Sequence, residues 1–91
     1  MDQISILSHL EALAHKLGIE IRYEHLEAET GFMPGGLCRI KGKQVVIINS
    51  DSHTEAKVRT LAKALGRFDL GEVYVRPALR ELLEYHGKEG G

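Results

Sequence analysis

Hydrophobic positions along the first quarter of the chain follow a helical period and then a strand period. Over residues 2–17 the apolar side chains recur at helical spacing, at Ile6, Leu10, Leu13 and Leu17. Gly18 follows, at the place where a left-handed residue commonly ends a helix. Residues 19–24 then alternate apolar and charged, which is the pattern of a half-buried strand. The pattern therefore predicts a first helix and a first strand.

Residues 25–36 have no hydrophobic period and contain three glycines and one proline. We expect a loop here. Loops of this length in a small domain either carry function or are simply mobile.

The clearest hairpin signal lies in residues 37–48. Its strands are predicted as residues 37–41 and 44–48, joined by Gly42-Lys43 in a type II′ turn, which favours glycine first. This register pairs Ile40 with Val45 and Cys38 with Ile47, and it places all four on one face.

An unbroken apolar run, Val45–Ile48, predicts that the second hairpin strand is central and covered on both faces.

The rest of the chain predicts two helices and one short strand. Ser52 and Glu55 have capping-box spacing, so a second helix should begin near His53. Residues 72–75 suggest a strand, and Pro77 suits the first turn of a third helix. The predicted buried stripe of the second helix is Val58, Leu61, Ala62, Leu65 and Phe68.

Together these elements predict an α+β fold. It has an N-terminal helix, a small sheet of three or four strands with a central hairpin, a second helix packed on the sheet, and a C-terminal helix. We expect a single domain over residues 1–86 and a disordered tail over 87–91.

Composition narrows the functional classes. The 91 residues are 43% hydrophobic and carry a net charge of −1, which excludes a uniformly basic nucleic-acid binder and an acidic disordered chain. A single cysteine excludes an internal disulfide. No apolar run approaches the roughly 20 residues of a membrane span, and the N-terminus lacks the features of a signal peptide. We therefore expect a cytoplasmic protein with no membrane partner.

Charge is unevenly distributed along the chain. Residues 37–67 contain seven basic and two acidic side chains, giving +5, whereas residues 1–36 carry −4 and residues 68–91 carry −2. The middle of the sequence is therefore a basic zone in a nearly neutral protein.

The second helix contains the sequence Arg59-Thr60-Leu61-Ala62-Lys63-Ala64-Leu65-Gly66-Arg67. It resembles the active-site helix of small zinc metallopeptidases of the ImmA/IrrE type, a minimal zincin, in which the pattern is T-L-A-H-E-L-G-H. The matching scaffold positions are Thr60, Leu61, Ala62, Leu65 and Gly66. The resemblance extends over about residues 5–70 and implies a zincin-like fold.

The catalytic positions of that pattern are replaced. Lys63 and Arg67 stand where the family has its zinc-binding histidines, and Ala64 stands where it has the general-base glutamate. Arginine has no lone pair for a metal, lysine is cationic near neutral pH, and alanine cannot accept a proton. The resemblance therefore implies an inactivated metallopeptidase without catalytic residues, metal or cofactor.

Two interpretations fit the basic zone. The favoured one is the solvated face of an amphipathic helix. The other is a groove in which Lys63 and Arg67, with Arg39 and Lys41 of the hairpin, contact an acidic peptide or a small anion. In the resembling family the substrate peptide lies along a strand edge at this place. Nucleic acid is disfavoured, because the rest of the chain is acidic and offers no aromatic residues interleaved with the basic ones.

Other candidate residues lie outside this zone. Phe32 and Met33 either cover one end of the core or contact a protein partner. Cys38 is expected to be a buried apolar thiol rather than a reactive one. His53 is expected to be a solvated helix-cap residue rather than a metal ligand.

The sequence thus predicts a non-catalytic interaction or regulatory module, with a protein partner or self-association as its mode of action. Self-association is reasonable because a small domain gains stability when it buries more surface, and because a small sheet has unpaired edge strands. The alternative is a metal- or anion-dependent binder or enzyme whose functional residues cannot be recognised from the sequence.

Overall fold

A computed structural model of the chain describes residues 1–28, 31–32 and 35–88. It shows three helices and a small mixed sheet, so the predicted α+β fold is confirmed. The elements in chain order are α1 (Gln3–Lys16), β1 (Glu20–Glu24), β2 (Glu27–Ala28), β3 (Gly31–Phe32), β4 (Gly35–Ile40), β5 (Lys43–Asn49), α2 (Thr54–Leu65) and α3 (Pro77–Gly87).

The main sheet has three strands in the order β1-β5-β4. Strand β1 runs parallel to β5, and β4 runs antiparallel to it. Strands β2 and β3 form a separate antiparallel pair. The central position predicted for the apolar strand β5 is therefore confirmed, and β1 and β4 form the two edges of the main sheet.

The core lies between the sheet and the helices. Val46 and Ile48 of β5 belong to the same buried cluster as residues of α1, α2 and α3. Val45 is also buried, but it points to the opposite face and is not part of that cluster. The prediction that β5 is covered on both faces is confirmed by its burial, since Val46 and Ile48 are buried on one face and Val45 is buried on the other.

Helix α1 matches its predicted limits closely. Asp2 caps it, with its carboxylate accepting a hydrogen bond from the Ser5 backbone N–H at 2.7 Å. This hydrogen bond lowers the pKa of the Asp2 carboxyl group. Gly18 follows the C-cap with φ of +74°, as the sequence predicted.

The hairpin forms with a different turn from the predicted one. Its loop is Lys41-Gly42, with φ of 50° and 81°, which is the conformation of a type I′ turn. Cys38 therefore pairs with Val45, and Ile40 pairs with Lys43. The predicted register is wrong because glycine occupies the second loop position rather than the first. The shift preserves which residues share a face.

The segment predicted as a loop over residues 25–36 contains more structure than expected. Strands β2 and β3 lie within it, and β4 begins at Gly35. Gly35 has φ of +108°, and a Cβ there would lie 1.9 Å from the Ile47 carbonyl oxygen. The backbone approaches β5 so closely at this point that only glycine fits, which explains why the strand begins with a residue typical of loops.

Helix α2 begins at Thr54 without the predicted capping box. The Ser52 hydroxyl instead donates to the Asn49 carbonyl oxygen at 2.6 Å, so it does not cap the helix. His53 is the N-cap residue, and its side chain makes no capping hydrogen bond.

The strand predicted over residues 72–75 is absent from the described structure. The Val73 N–H donates to the Leu70 carbonyl at 3.1 Å, which makes a turn, and α3 begins at Pro77 as predicted. Val75, between this turn and α3, is 6% exposed and belongs to the hydrophobic core. The apolar residues here reflect packing rather than sheet pairing.

Helices α2 and α3 meet at a pair of glycines. A Cβ on Gly66 would lie 2.5 Å from the Leu83 carbonyl oxygen, and one on Gly87 would lie 2.9 Å from the Gly66 carbonyl oxygen. Gly87 is the last residue of α3, one residue beyond the predicted end of the domain. The rest of the predicted tail is described only at Lys88, and residues 89–91 lie outside the described residues.

Candidate functional site

Lys63 lies on the solvent side of α2, and Arg67 lies just beyond the C-cap residue Gly66. Lys63 is half-buried and opposite the stripe that includes Leu61 and Leu65, and Arg67 is exposed. Ala64 is only 4% exposed and belongs to the core. Ala64 therefore contributes to packing and is not available at the surface of α2.

The hairpin residues lie at the same end of the molecule. Arg39 is exposed on β4, on the face of the sheet that the helices cover, and Lys41 is exposed in the turn. Helix α2 follows β5 directly and packs back over β5 and β4, so its C-terminal end lies towards this turn. The C-terminal end of α2 therefore lies towards the end of the sheet that carries Arg39 and Lys41, with Lys63 on the side of the helix that faces solvent.

These four cations are not neutralised by ion pairs within the described part of the chain. The ion pairs that the described residues make involve other side chains, such as Glu20 with Arg22 at 2.5 Å and Glu55 with Arg59 at 3.8 Å. The positive charge at this end is therefore available to an anionic group from outside the molecule.

Strand β4 presents backbone hydrogen-bonding groups at the free edge of the sheet. Ile40 and Lys43 flank a two-residue loop, so they form a hydrogen-bonded pair that closes the hairpin. The pattern alternates along the strand, so Cys38 also bonds to β5, whereas the N–H and C=O groups of Leu37 and Arg39 point away from it. No strand of the described chain pairs with this edge.

A second cluster, which the sequence analysis missed, lies beside β1. The Tyr23 hydroxyl donates a hydrogen bond to the Glu11 carboxylate, and the Lys57 Nζ lies 5.7 Å from the centre of the Tyr23 ring. Burial, together with the hydrogen bond and the negative charge of Glu11, raises the pKa of Tyr23. These residues come from α1, β1 and α2, so no local sequence pattern connects them.

Asn49, at the end of β5, is also a residue whose role the sequence did not show. It is 1% exposed. Its side-chain amide donates to the Leu26 carbonyl at 3.3 Å, and its side-chain oxygen accepts from the Asp51 N–H at 2.9 Å. His25 pairs with Asp51 nearby, through exposed side chains. Asn49 therefore joins the segment after β1 to the segment before α2, which is a structural role.

The other candidate residues are not brought together into one site. Cys38 is half-buried on the face of the sheet opposite the helices, and His53 is exposed at the start of α2. Phe32 lies in β3, and Met33 lies outside the described residues. Over the described ranges, no group of three or more His, Cys, Asp or Glu side chains is arranged to hold a metal ion. None of the described helices has the length and apolar character needed to cross a bilayer.

Comparison with models of known protein families, with curated proteins and with solved structures finds no match to this chain.

Proposed function

We propose that this protein is a non-catalytic interaction module that binds an acidic, extended segment of a partner chain along the free edge of β4. One observation carries the proposal: an edge strand with outward-facing backbone groups lies at the same end of the molecule as four cations that have no ion-pair partner among the described residues. An added strand would gain main-chain hydrogen bonds, and its acidic side chains would meet Arg39 and Lys41.

The chemistry of α2 supports a binding role rather than a catalytic one. Lys63 and Arg67 repel a divalent cation and provide no neutral imidazole, and Ala64 is packed in the core. The resemblance to the minimal zincins supports the same location, because in that family a peptide lies along a strand edge beside this helix. The module would keep that docking mode without hydrolysing the bound peptide.

The second candidate function is anion binding by the α2 face alone. Lys63 lies in the last turn of α2 and Arg67 lies just beyond its C-cap, and both lack ion-pair partners among the described residues, which favours a site that does not involve β4. The two candidates predict different mutational effects.

Fluorescence anisotropy can test the proposal with two fluorescein-labelled octapeptides, one alternating valine with glutamate and one alternating valine with lysine. We expect saturable binding of the valine–glutamate peptide, weakened by salt, and no binding of the valine–lysine peptide. Arg39→Gln removes one charge and should weaken binding a few-fold. Arg39→Pro also removes an outward N–H and should weaken it by about a further factor of five.

Proline is tolerated on edge strands at such positions, so Arg39→Pro should leave the β4–β5 pairing intact. Its circular dichroism spectrum provides that control. Equal binding by the proline and glutamine variants would contradict docking along β4. If Lys63→Ala with Arg67→Ala abolishes binding while Arg39→Pro does not, the α2 face is the site instead.

A further inference from the structure

A cavity lies between the connection that follows α2 and one face of α3. Its volume is about 320 Å³. Sites for small molecules in proteins commonly have volumes of about 300–1,000 Å³, so this cavity is at the lower end of that range. A ligand that fills it is therefore small, with the size of a single amino acid rather than of a peptide.

Part of the cavity lining is apolar. Phe68 and Leu70 are half-buried, because they pack against the hydrophobic core on one side and line the cavity with the surface that remains. Leu83 of α3 also lines the cavity and is 2% exposed. An apolar group of a ligand gains free energy when it leaves water for such a surface.

The rest of the lining carries charges of both signs. Arg80 and Glu84 are four residues apart in α3, so their side chains leave the same face of the helix. Opposite charges at this spacing commonly pair, but neither side chain forms an ion pair over the described part of the chain. Asp69 adds a second carboxylate, which accepts the Gly71 N–H at 2.9 Å. The cavity thus offers a cation and an anion to the complementary groups of a ligand.

The C-terminal end of α2 makes one end of the cavity more negative. Gly66 is the C-cap residue of α2 and lines the cavity, and the carbonyl groups at this end of a helix carry partial negative charge. A Cβ on Gly66 would lie 2.5 Å from the Leu83 carbonyl oxygen, so Glu84 is beside this end. Arg80 is about 6 Å further along α3. The cavity therefore has an anionic end and a cationic end.

We infer that this cavity binds a free α-amino acid with an apolar side chain. The carboxylate of the ligand accepts hydrogen bonds from the Arg80 guanidinium, and its ammonium group donates to the Glu84 carboxylate. The apolar side chain of the ligand packs on Phe68 and Leu70. One carbon atom separates the two charged groups of an α-amino acid, which suits two protein side chains one helical turn apart. The inference does not depend on the peptide site proposed at β4.

NMR titration of isotope-labelled protein with three related compounds tests the inference. L-Leucine carries both charges, N-acetyl-L-leucine lacks the ammonium group, and L-leucinamide lacks the carboxylate. We expect saturable shifts with leucine at amide signals of the cavity, among them those of Phe68, Leu70 and Gly71. The other two compounds should bind at least about fivefold more weakly, because each leaves one charge of the cavity without a partner.

Two variants with matched controls test the role of each charge. Arg80→Gln should weaken leucine binding at least about fivefold and leave leucinamide binding unchanged, since leucinamide has no carboxylate. Glu84→Gln should weaken leucine binding by a similar factor and leave N-acetyl-L-leucine binding unchanged. The controls are Arg76→Gln and Glu81→Gln, because both residues are exposed and lie outside the cavity lining. The dispersion of the amide spectrum checks that each variant folds.

The absence of saturable shifts with leucine would overturn the inference. Binding of N-acetyl-L-leucine or L-leucinamide as tight as that of leucine would also overturn it, since the cavity would then recognise the end of a peptide chain. Equal losses in a cavity variant and its control would show a general effect of charge, with the same consequence. In each case the binding of the valine–glutamate peptide, and with it the proposed function, is tested separately.

Discussion

At the scale of single residues, the buried side chain of Asn49 makes hydrogen bonds to the backbone that no neighbouring side chain makes in its place. Its side chain donates to the Leu26 carbonyl and accepts from the Asp51 N–H, and so joins the segment after β1 to the segment after β5. Because Asn49 is almost fully buried, water cannot easily take over these bonds if the side chain is removed.

We therefore expect Asn49→Ala to reduce the free energy of unfolding by about 1–3 kcal/mol, since it leaves buried backbone groups unsatisfied. Urea unfolding measures this change. The matched control is Ser50→Ala, because Ser50 is the exposed neighbour and keeps its backbone bond to Glu24. Equal stability of the two variants would contradict the structural role of Asn49.

Tyr23 gives a second prediction, on pH dependence. Its folded-state pKa is raised above the value of about 10 that a tyrosine has in an unfolded chain. Above that pH the unfolded state releases the proton and the folded state retains it, so the free energy of unfolding falls as pH rises. This loss begins near pH 10 and deepens above it.

Tyr23→Phe should make the fall in stability between about pH 9 and 11 shallower, because it removes the titrating hydroxyl. Tyr74→Phe is the control, since Tyr74 is 78% exposed on the connection before α3. Urea unfolding across this pH range compares the slopes. A slope for Tyr23→Phe as steep as that of the control would show that the Tyr23 hydroxyl does not contribute.

At the scale of elements, the glycines Gly66 and Gly87 set how closely α2 and α3 approach. Gly66 is also one of the residues that matches the zincin pattern. Its conformation is helical, so the need for glycine arises from the neighbouring backbone of α3 rather than from its own φ. The leucine–glycine pair of the motif thus has a packing explanation that is independent of any metal site.

Gly66→Ala should lower the free energy of unfolding by about 1–3 kcal/mol, because the added methyl group collides with the Leu83 carbonyl and forces the helices apart. Gly36→Ala is the control, because a Cβ there meets nothing within 4 Å. Thermal unfolding compares them. A gain in stability for Gly66→Ala would mean that helix propensity prevails and that the close crossing is not present in solution.

Local signals in the sequence predicted the elements whose limits depend on local chemistry. Helix α1 is fixed by Asp2 and Gly18, which act within a few residues of the helix ends. The start of α2 near His53 was predicted correctly, but the predicted capping box was wrong, because Ser52 bonds back to Asn49 instead of capping the helix. That choice depends on the conformation of the whole turn.

The same distinction between local and long-range contacts applies to the candidate site. The basic residues Lys63 and Arg67 can be read from the sequence directly. The pairing of β1 with β5 determines which strands form the edges of the sheet. The packing of α1 and α2 beside β1 forms the cluster of Glu11, Tyr23 and Lys57. Those contacts join residues far apart in the chain, and hydrophobic periodicity does not encode them.

At the scale of the whole molecule, stability should not depend on a metal ion. The described core is built from aliphatic side chains, and the described residues include no group of three or more His, Cys, Asp or Glu that could hold a metal ion. We expect protein purified without a histidine tag to contain far less than one zinc per chain by elemental analysis. Its thermal unfolding should be the same with and without EDTA. Stoichiometric zinc, or a chelator-dependent melting temperature, would contradict the non-catalytic assignment.

The central claim is that an acidic strand docks on the free edge of β4, and amide hydrogen exchange followed by NMR tests it residue by residue. With the valine–glutamate peptide added, the outward-facing N–H groups of Leu37 and Arg39 should exchange at least several-fold more slowly. The Cys38 N–H, already bonded to β5, should change little. Unchanged exchange at Leu37 and Arg39 under conditions where the peptide is bound would contradict the account.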